Sequence, residues 1–294
     1  MSQTHTDSSK YYLPHNSAWP ILGSVALFSL MAGAASLLNG WTGGYSLLPG
    51  AILLITMFFC WFGTVIGENQ QGVYNLEVDR SFRMGMMWFI FSEVMFFAAF
   101  FGALFYARQF SVPWVGGLGV KTLNKLFLWQ HYSPGWPTNG PAHLGPRADG
   151  TFEAMQPFGL PAINTVILLT SSVTVTIAHH ALRAGHRGVL KFWLALTFIL
   201  GFTFVALQAH EYGEAYREMG LRLSTGIYGS TFFMLTGFHG LHVTIGAIML
   251  TIIWLRTLKG HFTPNRHFAF EAVSWYWHFV DVVWLGLFIF VYWL

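Results

Sequence analysis

Charge is what this 294-residue chain has least of: 15 Lys+Arg and 12 Asp+Glu amount to 9% of it, against about 25% in an average soluble domain. With 54% hydrophobic and 18% aromatic residues and a mean hydropathy of +0.50, such a chain is not expected to build a water-facing surface. The predicted solvent is a lipid bilayer. A formal net charge of +3 excludes nucleic-acid binding by charge, which needs a dense basic face. Cysteine is scarcer still. With Cys60 alone, intramolecular disulfides, a CxxCH haem attachment, a CxxC redox pair and a two-thiolate copper or zinc centre from one chain are excluded. A cleavable signal peptide would place positive charge ahead of a short apolar run. Residues 1–17 are instead polar, with Lys10 as the basic residue, and read as a short aqueous tail.

What the chain has in quantity is long apolar runs. No Asp, Glu, Lys or Arg occurs between Lys10 and Glu68, and the turn-forming cluster Asn39-Gly-Trp-Thr-Gly-Gly44 divides that stretch into spans at about 19–38 and 47–66. Further runs at about 84–107, 161–182, 189–212, 226–256 and 269–293 each reach the roughly 20 residues that one crossing requires. The prediction is an all-α polytopic bundle of seven transmembrane helices. It is organised as a tail (1–17), a two-helix membrane hairpin (18–67), a cytoplasmic loop (68–83) and a five-helix bundle (84–294) with a long outer loop at 108–160. Lys10, Arg80, Arg83, Arg183, Arg187, Lys191, Arg256, Lys259 and Arg266 fall on one side. Arg108, Lys121, Lys125, Arg147, Arg217 and Arg222, most of them spread along the long loop, fall on the other. The positive-inside rule then predicts a cytoplasmic amino terminus and an outer carboxyl terminus. The outer loop, rich in Pro, Gly and aromatics, is expected to be a structured flap against a partner. No inverted repeat of the transporter kind is found.

Ionisable groups at membrane depth are functional candidates by default. Glu93, in Ser92-Glu-Val-Met-Phe-Phe97, lies about nine residues into its span, near 13 Å deep at about 1.5 Å per residue. Three readings stay open for it: an acid bonded to a neighbouring helix, a proton-handling group, and a lipid-side or assembly role. Asp281 follows His278 by one helical turn, so the two share a face and can bond to each other. They read as a polar clasp to a neighbouring helix or as outer support for the ligands of a metal site, and His242, which has the same spacing from His239, also reads as a clasp. Thirteen histidines invite a haem or copper reading, but His179, His180, His261 and His267 fall near span ends, and His131 and His143 lie in the outer loop. Only His239, His242 and His278 are deep, and lone buried histidines are usually bonded core residues. No metal ligand and no catalytic residue is assigned, and a retinal-type Schiff base is excluded because residues 269–293 contain no lysine.

Three long blocks carry a resemblance: Gly226-Ile-Tyr-Gly-Ser-Thr-Phe-Phe-Met-Leu-Thr-Gly-Phe-His-Gly-Leu-His242, His261-Phe-Thr-Pro-Asn-Arg-His-Phe-Ala-Phe-Glu271 and Trp275-Tyr-Trp-His-Phe-Val-Asp-Val-Val-Trp284. Ser92 to Phe97, Ala178-His-His180 and Gln208-Ala-His-Glu-Tyr212 add to it. In these the chain resembles subunit III of the haem-copper cytochrome c oxidases. The resemblance implies seven helices with the first two splayed from the other five around a phospholipid cleft. It implies no cofactor on this chain, the haems and copper belonging to subunits I and II. It maps the family's buried carboxyl to Glu93 and lipid contacts to Trp61, Glu68, Arg256, Lys259 and His239. The long 108–160 loop points to a bacterial, plasma-membrane member.

The expected function is that of a non-redox subunit of a proton-translocating cytochrome c oxidase. Such a subunit binds subunits I and II, holds phospholipid, and sustains proton uptake and turnover stability while cytochrome c supplies electrons to the complex. The equivalent subunit of a quinol oxidase and a proton-coupled transporter are the alternatives.

Overall fold

A computed structural model describes residues 12–13, 17–147 and 150–294; Lys10 and most of the 1–17 tail lie outside the described residues. Among the described residues the structure is helical with no strand. Its helices are α1 (Trp19–Leu38), α2 (Leu48–Gln70), α3 (Leu76–Tyr106), the one-turn α4 (Val112–Val115), α5 (Leu160–Arg183), α6 (Arg187–Arg217), α7 (Gly226–Leu258) and α8 (Phe268–Leu287). Seven segments are long and apolar enough to cross a membrane, as the sequence predicts. The chain divides into two compact units, Met1–Met84 and Gly85–Leu294.

In the first unit α1 and α2 form a hairpin that only small residues allow. A β-carbon on Gly33 would stand 2.2 Å from the Ser46 carbonyl oxygen, and one on Gly50 would stand 2.4 Å from the Leu30 nitrogen. The Ser46 hydroxyl donates to the Gly33 carbonyl at 2.9 Å across the same contact. Pro20 and Pro49 open the two helices, where a missing N–H costs nothing.

The α3 helix starts earlier than the apolar run beginning at 84. Its first turns are charged and were invisible to an apolar count, yet they suit a helix start. Asn75 caps it by accepting from the Val78 amide at 3.0 Å, and Glu77 and Asp79 sit in the first turn, where the positive end of the helix dipole favours acids. Arg83 then pairs with Asp79 at 2.7 Å one turn on.

In the second unit α5, α6, α7 and α8 pack on one another in close succession, with α5 also against α8. The packing centre is Trp277 of α8, which is fully buried. Its ring lies against Gly201 of α6 and Gly246 of α7, where added β-carbons would stand 2.6 Å and 2.8 Å from ring atoms. Its indole N–H donates to the Ser171 hydroxyl of α5 at 2.9 Å. Four helices therefore meet at one side chain. The part of α3 in this unit is held at longer range by phenylalanine rings, with Phe96 against Phe238 at 5.0 Å and Phe97 against Phe279 at 6.2 Å.

The outer loop is ordered against its own bundle. Its peptide groups pair with the ends of α6 and α7, from the Glu153 amide to Met219 (2.9 Å) and from the Tyr228 amide to Thr138 (3.2 Å). Trp136 and Phe152 cover the Tyr228 ring at 5.6 and 5.5 Å. Gly226, at φ +56°, lets the strand of loop at Asn139 approach closer than any side chain would permit.

Candidate functional site

Among the deep ionisable groups of the described residues one pair is bonded, Glu93 with His242, while His239, His278 and Asp281 each face other partners. Glu93 lies close to the midpoint of α3 and places Oε2 at 2.9 Å from Nε2 of His242 on α7. The other imidazole nitrogen, Nδ1, donates to the Phe238 carbonyl at 2.6 Å. With Nδ1–H committed there, Nε2 is the ring nitrogen left to face the carboxyl. Phe97 meets the imidazole edge-on at 5.0 Å and Tyr276 stacks on it at 6.4 Å, so the pair sits in an aromatic enclosure. Both side chains are largely enclosed, at 21% and 12% exposure. The sequence identified each residue separately; the fold joins them.

His278 and Asp281, which share a face of α8, show no bond to each other among the described residues. His278 Nε2 instead contacts the Thr176 hydroxyl of α5 at 3.3 Å, while Asp281 faces Ser172 of α5, with its Oδ1 unpartnered among the described residues. Both line a groove between α5 and α8 together with Leu169 and Val173. Of the two, His278 has a hydrogen-bond contact to α5, and Asp281 faces α5 one turn away at Ser172.

His239 is fully buried, wedged beside the Phe204 and Trp284 rings, and its Nε2 meets the Val280 carbonyl at 3.1 Å. It has no surface to offer a lipid, so its expected place among the lipid contacts is corrected to an internal bond between α7 and α8. In the first unit Trp61 is 42% exposed. Glu68 accepts from the Tyr74 hydroxyl at 2.6 Å and from Tyr12 at 3.0 Å. Burial and the bond to Glu68 hold the Tyr74 phenol well above its ordinary pKa.

At the end of α7 the cations predicted for lipid contact gather with others. Lys259 is exposed, whereas Arg256 is only 8% exposed, its guanidinium 4.7 Å over the Phe262 ring and its Nε unpartnered among the described residues. Arg187 reaches the same turn and donates to the Phe262 carbonyl at 3.2 Å. His261, between them, is held below its ordinary pKa, first by partial burial and then by the Arg256 and Lys259 charges.

One buried carboxyl escaped the sequence reading. Glu211 of α6, fully buried, accepts from the Tyr292 hydroxyl at 2.7 Å. It lies inside the Gln208–Tyr212 motif but at the end of the 189–212 apolar run, where the sequence pattern does not set it apart from a span-end carboxyl. The ladder Gln208 to Thr236 carbonyl (2.9 Å) and Tyr212 to Thr236 hydroxyl (2.7 Å) ties the same face of α6 to α7.

A sequence model of the family described as "Cytochrome c oxidase subunit III" matches residues 9–126 and 141–294. The chain belongs to that family. It is 39% identical over 291 residues to cytochrome c oxidase subunit 3 of Dugong dugon, covering 99% of this chain and 98% of that one. It is 40% identical over 287 residues to that of Tetraodon nigroviridis and 39% over 283 residues to that of Carassius auratus, covering 96% of both chains in each case. As a subunit III chain it is a multi-pass membrane component of an oxidoreductase complex whose cofactors sit on other subunits. Residues 127–140 of the outer loop fall outside the family match, so the family says nothing about that segment.

Proposed function

We propose that this subunit III chain is a non-redox support of cytochrome c oxidase: it binds subunits I and II, retains phospholipid, and sustains proton uptake and turnover stability while cytochrome c feeds electrons to the complex. The amino terminus is cytoplasmic and the carboxyl terminus lies on the outer side of a bacterial plasma membrane. The observation that carries the lipid role is Arg256. A buried guanidinium needs hydrogen-bond acceptors, and its Nε has none among the described residues, while Lys259, Arg187 and His261 crowd the same turn. An anionic headgroup at the membrane edge satisfies that requirement through charge-assisted bonds. Trp61 offers an exposed indole in the first unit, and Glu68 orders the tyrosines beside it. Continuous spanning helices favour this reading over a transporter, whose binding sites are built from broken helices. Seven spans favour the cytochrome c branch over a quinol oxidase.

The test is lipid counted by native mass spectrometry of the intact complex carrying Arg256→Ala and Lys259→Ala together. Loss of two donors worth about 1 kcal/mol each near an anionic surface lowers bound anionic phospholipid. Unchanged lipid content in an assembled complex sinks the lipid role.

A further inference from the structure

The geometry points to a binding site for one zinc-class divalent ion where α5 ends and α8 begins, formed by His179, His267 and Glu271. His267 Nε2 lies 3.0 Å, and His179 Nε2 3.7 Å, from the same oxygen, Oε1 of Glu271. The three donor atoms are all within 4.8 Å of one another. Neither imidazole nitrogen has a hydrogen-bond partner among the described residues, though both atoms are buried. For His267 the tautomer follows from its other nitrogen: Nδ1 meets the Thr263 carbonyl at 3.2 Å and so carries the proton. In the neutral ring Nε2 is then a lone pair, facing a carboxylate oxygen that is also a lone pair. Two acceptors at 3.0 Å repel unless a cation lies between them.

A proton is one such cation, and a metal ion is the one that also accounts for His179. Ligands at zinc distances of about 2.0–2.1 Å on a tetrahedron stand about 3.3 Å apart. The observed separations bracket that value, so small rotations of the three side chains close the site. The bond from Nδ1 to a backbone carbonyl is the support that metal-bound histidines usually have. Two imidazoles and one carboxylate suit zinc with a fourth position open to water. His179, with a quarter of its side chain exposed, leaves a way in. The supporting elements are already fixed: His179 packs against the His267 and Phe270 rings at 5.5 Å each, and His267 and Glu271 are one turn apart. The bound ion joins the end of α5 to the start of α8 at a point that no backbone hydrogen bond spans among the described residues. Its role is structural, holding two helix ends of this chain together.

The experiment uses the intact complex, stripped of loosely held metal with a chelator and titrated with Zn²⁺ alone. The expected result is one tight equivalent whose zinc-edge X-ray absorption shows two imidazole nitrogens and a carboxylate oxygen. His267→Gln and Glu271→Gln each weaken that equivalent on the order of tenfold or more. His180→Gln, which alters the adjacent exposed histidine, leaves it unchanged. Should a variant fail to assemble, the absorption spectrum of the unaltered complex decides. A first equivalent with other ligands, the same zinc affinity in all three variants, or no stoichiometric uptake overturns the site and leaves an ion-paired imidazolium only.

Discussion

Glu93 on α3 and His242 on α7 share one bond of 2.9 Å, which among the described residues is the hydrogen-bonded link between α3 and α7 in the Gly85–Leu294 unit. Elsewhere between these helices the contacts are phenylalanine rings at 5 Å or more. A polar pair in such surroundings has a large cost of breaking and a small cost of conservative replacement. That asymmetry sets the first expectation.

Glu93→Gln keeps the shape and lets the amide N–H donate to His242 Nε2, so the helix contact survives. Initial oxygen consumption and the proton-to-electron ratio in reconstituted vesicles are expected to stay nearly intact, with any deficit in lipid content or turnover lifetime. Because the cofactors sit on other subunits, protons consumed there are expected to travel mainly through the subunit that holds the redox centre. Immediate loss of pumping at normal lipid content would show Glu93 to be a compulsory proton carrier instead.

His242→Ala leaves the Glu93 carboxyl without its partner in an apolar enclosure and is expected to destabilise the chain by about 1–3 kcal/mol. Adding Glu93→Ala to it should cost less than the sum of the two single changes, because the second removes a group already unpaired. Thermal unfolding of the complex in detergent reads the cycle; strict additivity would mean that the bond contributes nothing.

Gly201→Ala and Gly246→Ala each place a β-carbon inside contact distance of the Trp277 ring. The indole is locked by its bond to Ser171, so the helices must part, at about 1–3 kcal/mol. Gly63→Ala, which meets nothing within 4 Å on α2, is the control and should be neutral or slightly stabilising. Equal melting temperatures for Gly246→Ala and Gly63→Ala would contradict the packing described for Trp277.

His261 supplies a pH test of the anion site. Partial burial and the cations Arg256 and Lys259 depress its pKa. A headgroup phosphate beside those cations offsets their charge, favours the imidazolium, and so raises that pKa toward or above the ordinary 6.5. By linkage, anionic lipid binds more tightly as pH falls through that range. The check is the His261 titration followed by NMR in delipidated and lipid-replete complex; identical titrations would remove the phosphate from this turn.

The isolated chain, separated from its partners, is expected to carry no haem or copper, given its single cysteine and scattered histidines. A visible haem band or stoichiometric copper in it would refute that.

The seven spans were legible in the sequence because hydropathy and helix length are local properties of consecutive residues, summed without knowing any neighbour. The motifs from Gly226 to Trp284 were enough to indicate the family. The start of α3 was missed because Glu77, Asp79 and Arg83 lower the hydropathy while strengthening the helix through its dipole and its i, i+4 pair. Depth along a span could rank Glu93, His242, Asp281 and His278 as candidates, but not decide their partners. Pairing depends on which faces of helices far apart in sequence meet: Glu93 and His242 stand 149 residues apart. The same holds for His239, read from the sequence as a lipid contact and enclosed by Phe204 and Trp284 in the fold. It holds again for His179, His267 and Glu271, which join only because α5 ends where α8 begins. Rotation of each helix about its own axis is set by side-chain packing, around Trp277 for α5 to α8, and only the tertiary structure fixes it.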